Sequence, residues 1–108
     1  KRVVEDVIGR DAIKQVSIKR ILSAVAKKYN LNEKKITGKS RQMELVFARH
    51  IAMFLCRELT NTSLNSIGVF FNNRDHSTVI HACKTIEEKI QSDSSIKQDV
   101  INIKKQLA

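Results

Sequence analysis

The chain has 108 residues, with 20 Lys and Arg against 11 Asp and Glu, a net charge of +9 and a pI near 9.9. This length suits one domain with a modest core but is small for an enzyme with its own pocket. The sequence lacks an apolar run of about 18 residues and a signal region, so we expect neither a membrane-spanning nor a secreted protein. The positive charge favours a polyanionic partner, either nucleic acid or an anionic membrane surface.

The composition predicts an all-α fold, a compact helical bundle. The chain contains no proline, three glycines and no low-complexity tract. Cys56 and Cys83 lie on apolar helical faces without Cys-x-x-Cys spacing, which predicts buried, reduced thiols. Together with His50, His76 and His81 they form no recognised zinc motif, and we predict no metal site.

The chain is expected to divide near residue 16. Residues 1–16 mix valines with charges and are interpreted as a linker or lead-in helix cut from a longer protein, and residues 17–108 as the domain. Ser17 is a predicted N-cap. The helix that follows has a core-facing stripe consisting of Ile18, Ile21, Leu22, Val25, Ala26 and Tyr29.

A basic loop is predicted after a short helix. Asn32 can cap that helix, which runs through Ile36 and ends at Gly38. The segment from Lys34 to Arg41 carries four cations and no acid in eight residues. Such a loop could enter a minor groove or follow phosphates, or it could simply be solvated charge.

The longest helix is predicted from Met43 to Thr60 and is interpreted as the central packing helix. Its apolar positions include Phe47, Ile51, Phe54 and Leu55. Arg49 falls among its polar positions and is expected to point toward phosphate or a DNA edge.

The next two helices are predicted to form a helix-turn-helix. Ser63 caps the first, whose buried side comprises Leu64, Ile67, Gly68 and Phe71. Gly68 should allow the following helix to approach closely. A tight turn at Asn72-Asn73 then leads to the second helix.

The second helix resembles a DNA-reading helix. Asp75 is its predicted N-cap, and its apolar stripe consists of Val79, Cys83, Ile86 and Ile90. Outward-facing positions include His76, Ser77, Thr78, His81 and Lys84. The first turn offers donors, acceptors and a methyl group to a major groove. Alternatively, Asp75 and Thr78 only cap the helix, and the two histidines are solvated.

A final helix is predicted to pack behind the others. Residues 95–98, Ser-Ile-Lys-Gln, have a capping-box pattern. The stripe that follows contains Ile96, Val100, Ile103 and Leu107.

The segment Ile67-Gly-x-x-Phe-Asn-x-Arg-Asp-His-Ser-Thr-Val79 resembles the signature of the DnaA family, the bacterial chromosomal replication initiators, in their C-terminal DNA-binding domain (domain IV). The likeness extends to Gly38-Lys-Ser-Arg41, Ala48-Arg-His-Ile-Ala-Met53 and Arg57-Glu-Leu-Thr60, and covers about Ser17 to the C-terminus. The resemblance implies sequence-specific binding of double-stranded DNA at origin boxes close to TTATNCACA, in the cytoplasm at the nucleoid.

The resemblance also implies roles for individual residues. Arg41 matches an arginine that enters the minor groove, and Arg49 matches one that contacts DNA from the central helix. The expected readers of base edges in the major groove are Asp75, His76 and Ser77. Positions at or near the DNA backbone are Arg57, Leu64, Thr78 and Lys84. Sequence-independent attraction is expected from Lys39, Arg41, Arg49, Arg57 and Lys84, and if about five to seven phosphates are neutralised, the log K against log salt slope should be about −5 to −6.

Other implications concern a longer protein. Family members have an upstream AAA+ ATPase that binds ATP and Mg, assemble on the origin, and respond to acidic phospholipids and regulatory proteins. This chain has no phosphate-binding loop and is expected to be a non-enzymatic, monomeric binding domain. It departs from the family pattern at His50, where Gln is common, at Asn65, where Pro is common, and at Asn72-Asn73, where Gly pairs are frequent.

Three other protein classes fit less well. Asp75 and His76 are adjacent at a helix start and point in different directions, which disfavours a catalytic dyad. A membrane-surface module would need bulky aromatics opposite lysines on one helix, whereas these cations are spread over several elements. A protein-interaction bundle remains compatible with the fold.

Overall fold

The computed structural model describes residues 16–108, and within that range the chain forms six α-helices and no strand. The helices are α1 (Ile18–Tyr29), α2 (Glu33–Thr37), α3 (Met43–Leu59), α4 (Leu64–Phe70), α5 (His76–Ser92) and α6 (Ser94–Leu107). The predicted all-α class is therefore confirmed. The predicted lead-in segment, residues 1–16, lies outside the described residues except for Val16, which is buried in the core.

Four helices begin where the sequence predicted. Ser17, Asn32, Ser63 and Asp75 each accept a hydrogen bond through a side-chain oxygen from the amide three residues later. This bond satisfies one of the amides that a helix start leaves without a partner. Polar residues at these positions therefore fix the boundaries of α1, α2, α4 and α5.

The predicted capping box at Ser95 is wrong. Asp93 caps α6 instead, accepting bonds through Oδ1 from the Ser95 amide at 2.9 Å and the Ser95 hydroxyl at 2.7 Å. The carboxylate reaches the first free amides of the helix, so Ser95 lies within the first turn. Asp93 also ends α5, because its own amide donates to the Lys89 carbonyl at 2.8 Å.

Helix α3 is the central element, as predicted. It contacts α1, α2, α4 and α5, and every residue from Ile51 to Cys56 is buried. Phe71, at the end of α4, is the largest fully buried side chain. Truncating such a residue to Ala typically costs about 3–5 kcal/mol. The core therefore holds the helix-turn-helix against α3.

Helix α6 packs on α1 and α5, behind the helix-turn-helix. The Tyr29 hydroxyl donates to Asp99 at 3.1 Å, and Lys28 forms an ion pair with the same carboxylate at 3.7 Å. The Arg20 guanidinium donates to the Leu107 carbonyl at 3.3 Å. Among residues 16–108, no helix combines the length and apolar character that a membrane crossing requires.

Candidate nucleic-acid interface

The turn between α4 and α5 depends on backbone conformations that few residue types accept. Asn72 and Asn73 both have positive φ, 68° and 56°. Asn tolerates this left-handed region better than other non-glycine residues. The Asn pair, which stands where Gly pairs are frequent in the family, therefore adopts the left-handed backbone that this turn requires.

Gly68 permits the close approach that the sequence predicted. A Cβ atom at this position would lie 1.9 Å from the Arg74 carbonyl oxygen. The Arg74 amide in turn donates to the Gly68 carbonyl at 2.9 Å. The backbone that leads into α5 thus rests directly on α4, and this contact sets the position of the α5 start.

The first turn of α5 projects from the surface. Asp75, His76, Ser77 and Thr78 are all exposed. One carboxylate oxygen of Asp75, Oδ1, accepts from both the amide and the hydroxyl of Thr78, at 2.9 Å each. Asp75 therefore caps α5, which is one of the two roles that the sequence left open. The cap uses Oδ1 of Asp75, and the other carboxylate oxygen, Oδ2, lies outside it.

The outer face of α5 beyond its first turn changes from basic to acidic along the helix. His81 and Lys84 are exposed, and the acids Glu87 and Glu88 follow them. His50 on α3 stacks edge-on against His81, with ring centroids 6.4 Å apart. Burial and then the charge of His81 lower the pKa of His50, so this imidazole is neutral at pH 7.

The basic loop between α2 and α3 lies on the same side of the molecule as α5. Lys39 and Arg41 are exposed in this loop. One shallow groove is lined by Arg41, Met43, Val46, Phe47, His50, Thr85 and Lys89. Because Thr85 and Lys89 belong to α5, Arg41 of the basic loop and the second half of α5 border a common surface.

Arg49 does not lie where the sequence predicted. Its side chain is only 4% exposed, and its Nε donates to the Ile36 carbonyl. Its Nη2 donates to the carbonyls of Lys35 at 3.4 Å and Ser40 at 3.0 Å. The guanidinium is thus held against α2 and the basic loop through Nε and Nη2 instead of extending into solvent.

Arg74 is the residue that sequence reasoning missed. Its Nη1 donates to Phe71 and Thr37, and its Nη2 donates to the Gly38 carbonyl at 2.8 Å. Burial and then the nearby charge of Arg74 lower the pKa of Arg49, and burial lowers the pKa of Arg74 itself. A local signal existed only for the bond to Phe71, since an arginine in a tight turn has the main-chain carbonyls of that turn within reach.

The remaining predicted residues lie on three helices. Arg57 on α3 is exposed and lies close to Cys83 of α5, whose pKa is raised by burial although the guanidinium acts in the opposite direction. Lys84 is exposed beside Cys83 on α5, and Leu64 is half-buried at the first position of α4. Within the described residues, no group of three His, Cys, Asp or Glu side chains could hold a metal ion.

The chain matches known proteins over most of its length. Residues 18–86 match a family model described as the bacterial dnaA protein helix-turn-helix. A chromosomal replication initiator protein DnaA from Limosilactobacillus fermentum is 45% identical over 92 residues, 85% of this chain and 21% of that protein. The Chlorobaculum tepidum protein of the same name is 36% identical over 107 residues, 99% of this chain and 22% of that protein. The Bacteroides fragilis protein is 40% identical over 103 residues, 95% of this chain and 21% of that protein. The chain thus spans about a fifth of the length of these relatives.

Proposed function

This chain belongs to the family of the bacterial DnaA helix-turn-helix, a DNA-binding domain of replication initiation, and on that premise we propose that it recognises DnaA boxes close to TTATNCACA at a replication origin. The first turn of α5 enters the major groove, and the basic loop follows the adjacent minor groove. The observation that carries the proposal is that both elements are exposed and joined at their bases, since Arg74, the residue before the α5 cap, donates to the Thr37 and Gly38 carbonyls at the start of the basic loop.

Base reading is assigned to the tip of α5. His76 and Ser77 offer exposed ring nitrogens and a hydroxyl, and Asp75 offers the carboxylate oxygen that the helix cap leaves over. Thr78 turns its hydroxyl toward Asp75, which leaves its methyl group for contact with a base or sugar. Each good base contact is worth about 1–3 kcal/mol of discrimination. The acids at 87 and 88 repel phosphate, so only the first half of α5 enters the groove.

Sequence-independent attraction is assigned to exposed cations. These are Lys39 and Arg41 in the basic loop, Arg57 on α3 and Lys84 on α5. Leu64, half-buried at the first position of α4, is assigned a place near the DNA backbone. Four neutralised phosphates give a log K against log salt slope of roughly −3.6. This slope is shallower than the one expected from the sequence, because it counts four exposed cations and leaves out the buried Arg49, whereas the earlier value assumed about five to seven neutralised phosphates.

A titration with two duplexes tests the function. Fluorescence anisotropy of a box duplex and a scrambled duplex of equal composition is measured at about 50 mM and about 200 mM salt. We expect tighter binding of the box at both concentrations and a steep loss of scrambled binding at the higher one. Equal affinity for the two duplexes at both concentrations would exclude sequence-specific recognition.

The longer protein is assigned its remaining functions by family membership. An upstream AAA+ module would bind ATP and Mg and drive assembly on the origin in the cytoplasm. Acidic phospholipids and regulatory proteins are further proposed partners. The 108-residue chain is proposed to bind DNA as a monomer. Analytical ultracentrifugation of the chain with and without box DNA tests this last point.

A further inference from the structure

Helix α2 and the basic loop depend on support from other parts of the molecule. The helix has five residues, so it has few internal hydrogen bonds to hold it in place. The last carbonyls of any helix also lack donors from the helix itself. Here the Thr37 hydroxyl and the Gly38 amide supply two of the donors, and two guanidinium groups, those of Arg49 and Arg74, supply the others.

These two guanidiniums bind most of the backbone carbonyls of residues 35–40. They contact five of the six carbonyls between residues 35 and 40, which are those of Lys35, Ile36, Thr37, Gly38 and Ser40. A guanidinium has five N–H donors in a rigid planar fork and can address several carbonyls at once. The carbonyl end of α2 is also the negative end of its dipole, which favours the two positive charges there.

Arg74 connects this segment to the helix-turn-helix. One of its guanidinium bonds reaches the Phe71 carbonyl at the end of α4, while two others reach Thr37 and Gly38 at the start of the basic loop. The next residue in the chain is Asp75, the cap of α5. A single side chain therefore joins the basic loop to the backbone that positions the α5 tip.

We propose that Arg74, together with Arg49, is a positioning residue that fixes the basic loop relative to the first turn of α5, so that both elements meet DNA as one rigid unit. The intramolecular part of this inference is independent of DNA. The consequence for DNA binding rests on the proposed function.

Arg74→Lys separates positioning from simple phosphate contact. The variant keeps the positive charge, but a lysine ammonium offers three donors at one point and cannot replace a fork that reaches carbonyls on both sides. A phosphate contact would survive this change in large part. A positioning role would be lost almost as completely as in Arg74→Ala.

Amide hydrogen exchange of the 108-residue chain without DNA is the first test. The Gly38 amide donates to Lys35 and the Gln42 amide to the Ser40 hydroxyl, so both report on the loop. We expect both to exchange at least about tenfold faster in Arg74→Lys, while core amides of α3 change much less. Unchanged loop exchange, or equal acceleration throughout the chain, would overturn the proposal.

Arg20→Lys is the matched control. Arg20 also donates to a main-chain carbonyl, that of Leu107, but it joins α1 to the C-terminal end of α6. Its replacement should leave loop exchange unchanged.

If Arg74→Lys does not fold, the guanidinium NMR signals of the wild-type chain decide instead. Those of Arg49 and Arg74 should exchange slowly with water compared with those of Arg41 and Arg57, and equal rates for all four would refute the proposal.

A double-mutant cycle on a box duplex tests the consequence for DNA. Arg41→Ala should weaken box binding about tenfold in the wild-type background and by less than about threefold in the Arg74→Lys background, because the loop is no longer held in place. Combined with Arg20→Lys, the losses should be additive. Additive losses with Arg74→Lys would overturn the role of Arg74 in DNA binding. If the wild-type chain does not prefer the box duplex, the proposed function fails. The hydrogen-exchange experiment still tests the positioning role, because it is carried out without DNA.

Discussion

Asp75 and Thr78 are joined twice, because Oδ1 of Asp75 accepts hydrogen bonds from both the amide and the hydroxyl of Thr78 at 2.9 Å. The amide bond and then the hydroxyl bond hold the pKa of the Asp75 carboxyl below its ordinary value. A carboxyl that is more acidic in the folded chain stabilises the fold above its ordinary pKa, and this contribution is lost as pH falls through the lowered pKa.

Thr78→Ala should therefore raise the pKa of Asp75 part of the way back, since it removes the hydroxyl bond and keeps the amide bond. Thr78→Ser keeps both bonds and serves as the control. An NMR titration of the Asp75 side-chain carboxyl in the three proteins measures the effect. Identical titration curves for the wild type and Thr78→Ala would contradict the role of the hydroxyl.

Gly68→Ala should destabilise the fold, because the new Cβ would overlap the Arg74 carbonyl oxygen. Overpacking of this kind typically costs about 1–3 kcal/mol. Val69→Ala is the control, since Val69 is the next residue on α4 and is 63% exposed. Its free energy of unfolding should stay within about 0.5 kcal/mol of the wild type. Urea denaturation of both variants measures the difference, and equal midpoints would show that the close approach is not required.

His76→Ala should lower affinity for the box duplex by about 1–3 kcal/mol while leaving a scrambled duplex nearly unaffected. The imidazole is exposed at the tip of α5, so its loss should not disturb the core. Anisotropy titrations of both duplexes at one salt concentration measure the two affinities. Equal losses on both would exclude a base-reading role.

Arg49 and Arg57 should behave differently although both lie on α3. Arg49→Ala removes a donor from three carbonyls, of which only that of Lys35 keeps another, the Gly38 amide, so we expect a loss of about 1–3 kcal/mol in stability and an unchanged salt slope. Arg57→Ala should make the slope shallower by about 0.9 with little effect on stability. Urea denaturation and anisotropy at several salt concentrations check both. A change in slope for Arg49→Ala equal to that for Arg57→Ala would restore its predicted contact with DNA.

Both cysteines should be inert toward thiol reagents in the folded chain. Cys56 and Cys83 are fully buried, and burial raises the pKa of the Cys56 thiol to about 12. Because the thiolate is the reactive form, labelling should follow the rate of unfolding. Iodoacetamide labelling with and without urea, followed by mass spectrometry, measures this rate. Rapid labelling without urea would contradict the burial of either thiol.

The sequence predicted helix starts well because their determinants are local. Ser17 and Asn32 cap helices through bonds that span three residues, and such bonds are visible as a polar residue before an apolar stripe. The same holds for Gly68, whose close contact at Arg74 lies six residues further along the chain. At Asp93 two candidate caps compete within three residues, and the pattern favoured Ser95 wrongly.

The environment of the arginines could not be predicted in the same way. Helical periodicity gives the direction of the Arg49 side chain from α3, but not the fact that α2 and the loop fold over it. The acceptors of Arg74 at Thr37 and Gly38 lie 37 and 36 residues away in sequence. Nothing in the local pattern indicates contacts of that range. The exposed positions of His76, Ser77 and Lys84 were predictable, because they follow from the stripe on their own helix.

Asp93 is the single residue between α5 and α6, and it caps the end of the first and the start of the second. A junction this short allows little relative movement, so the C-terminal end of α5 is anchored to α6. Helix α6 is in turn bonded to α1 through Tyr29 and Asp99. Torque applied by DNA at the tip of α5 would thus be transmitted to the opposite side of the domain instead of being absorbed by local bending. Inserting two glycines after Ser92 would release this anchor without altering any residue that we propose to face DNA.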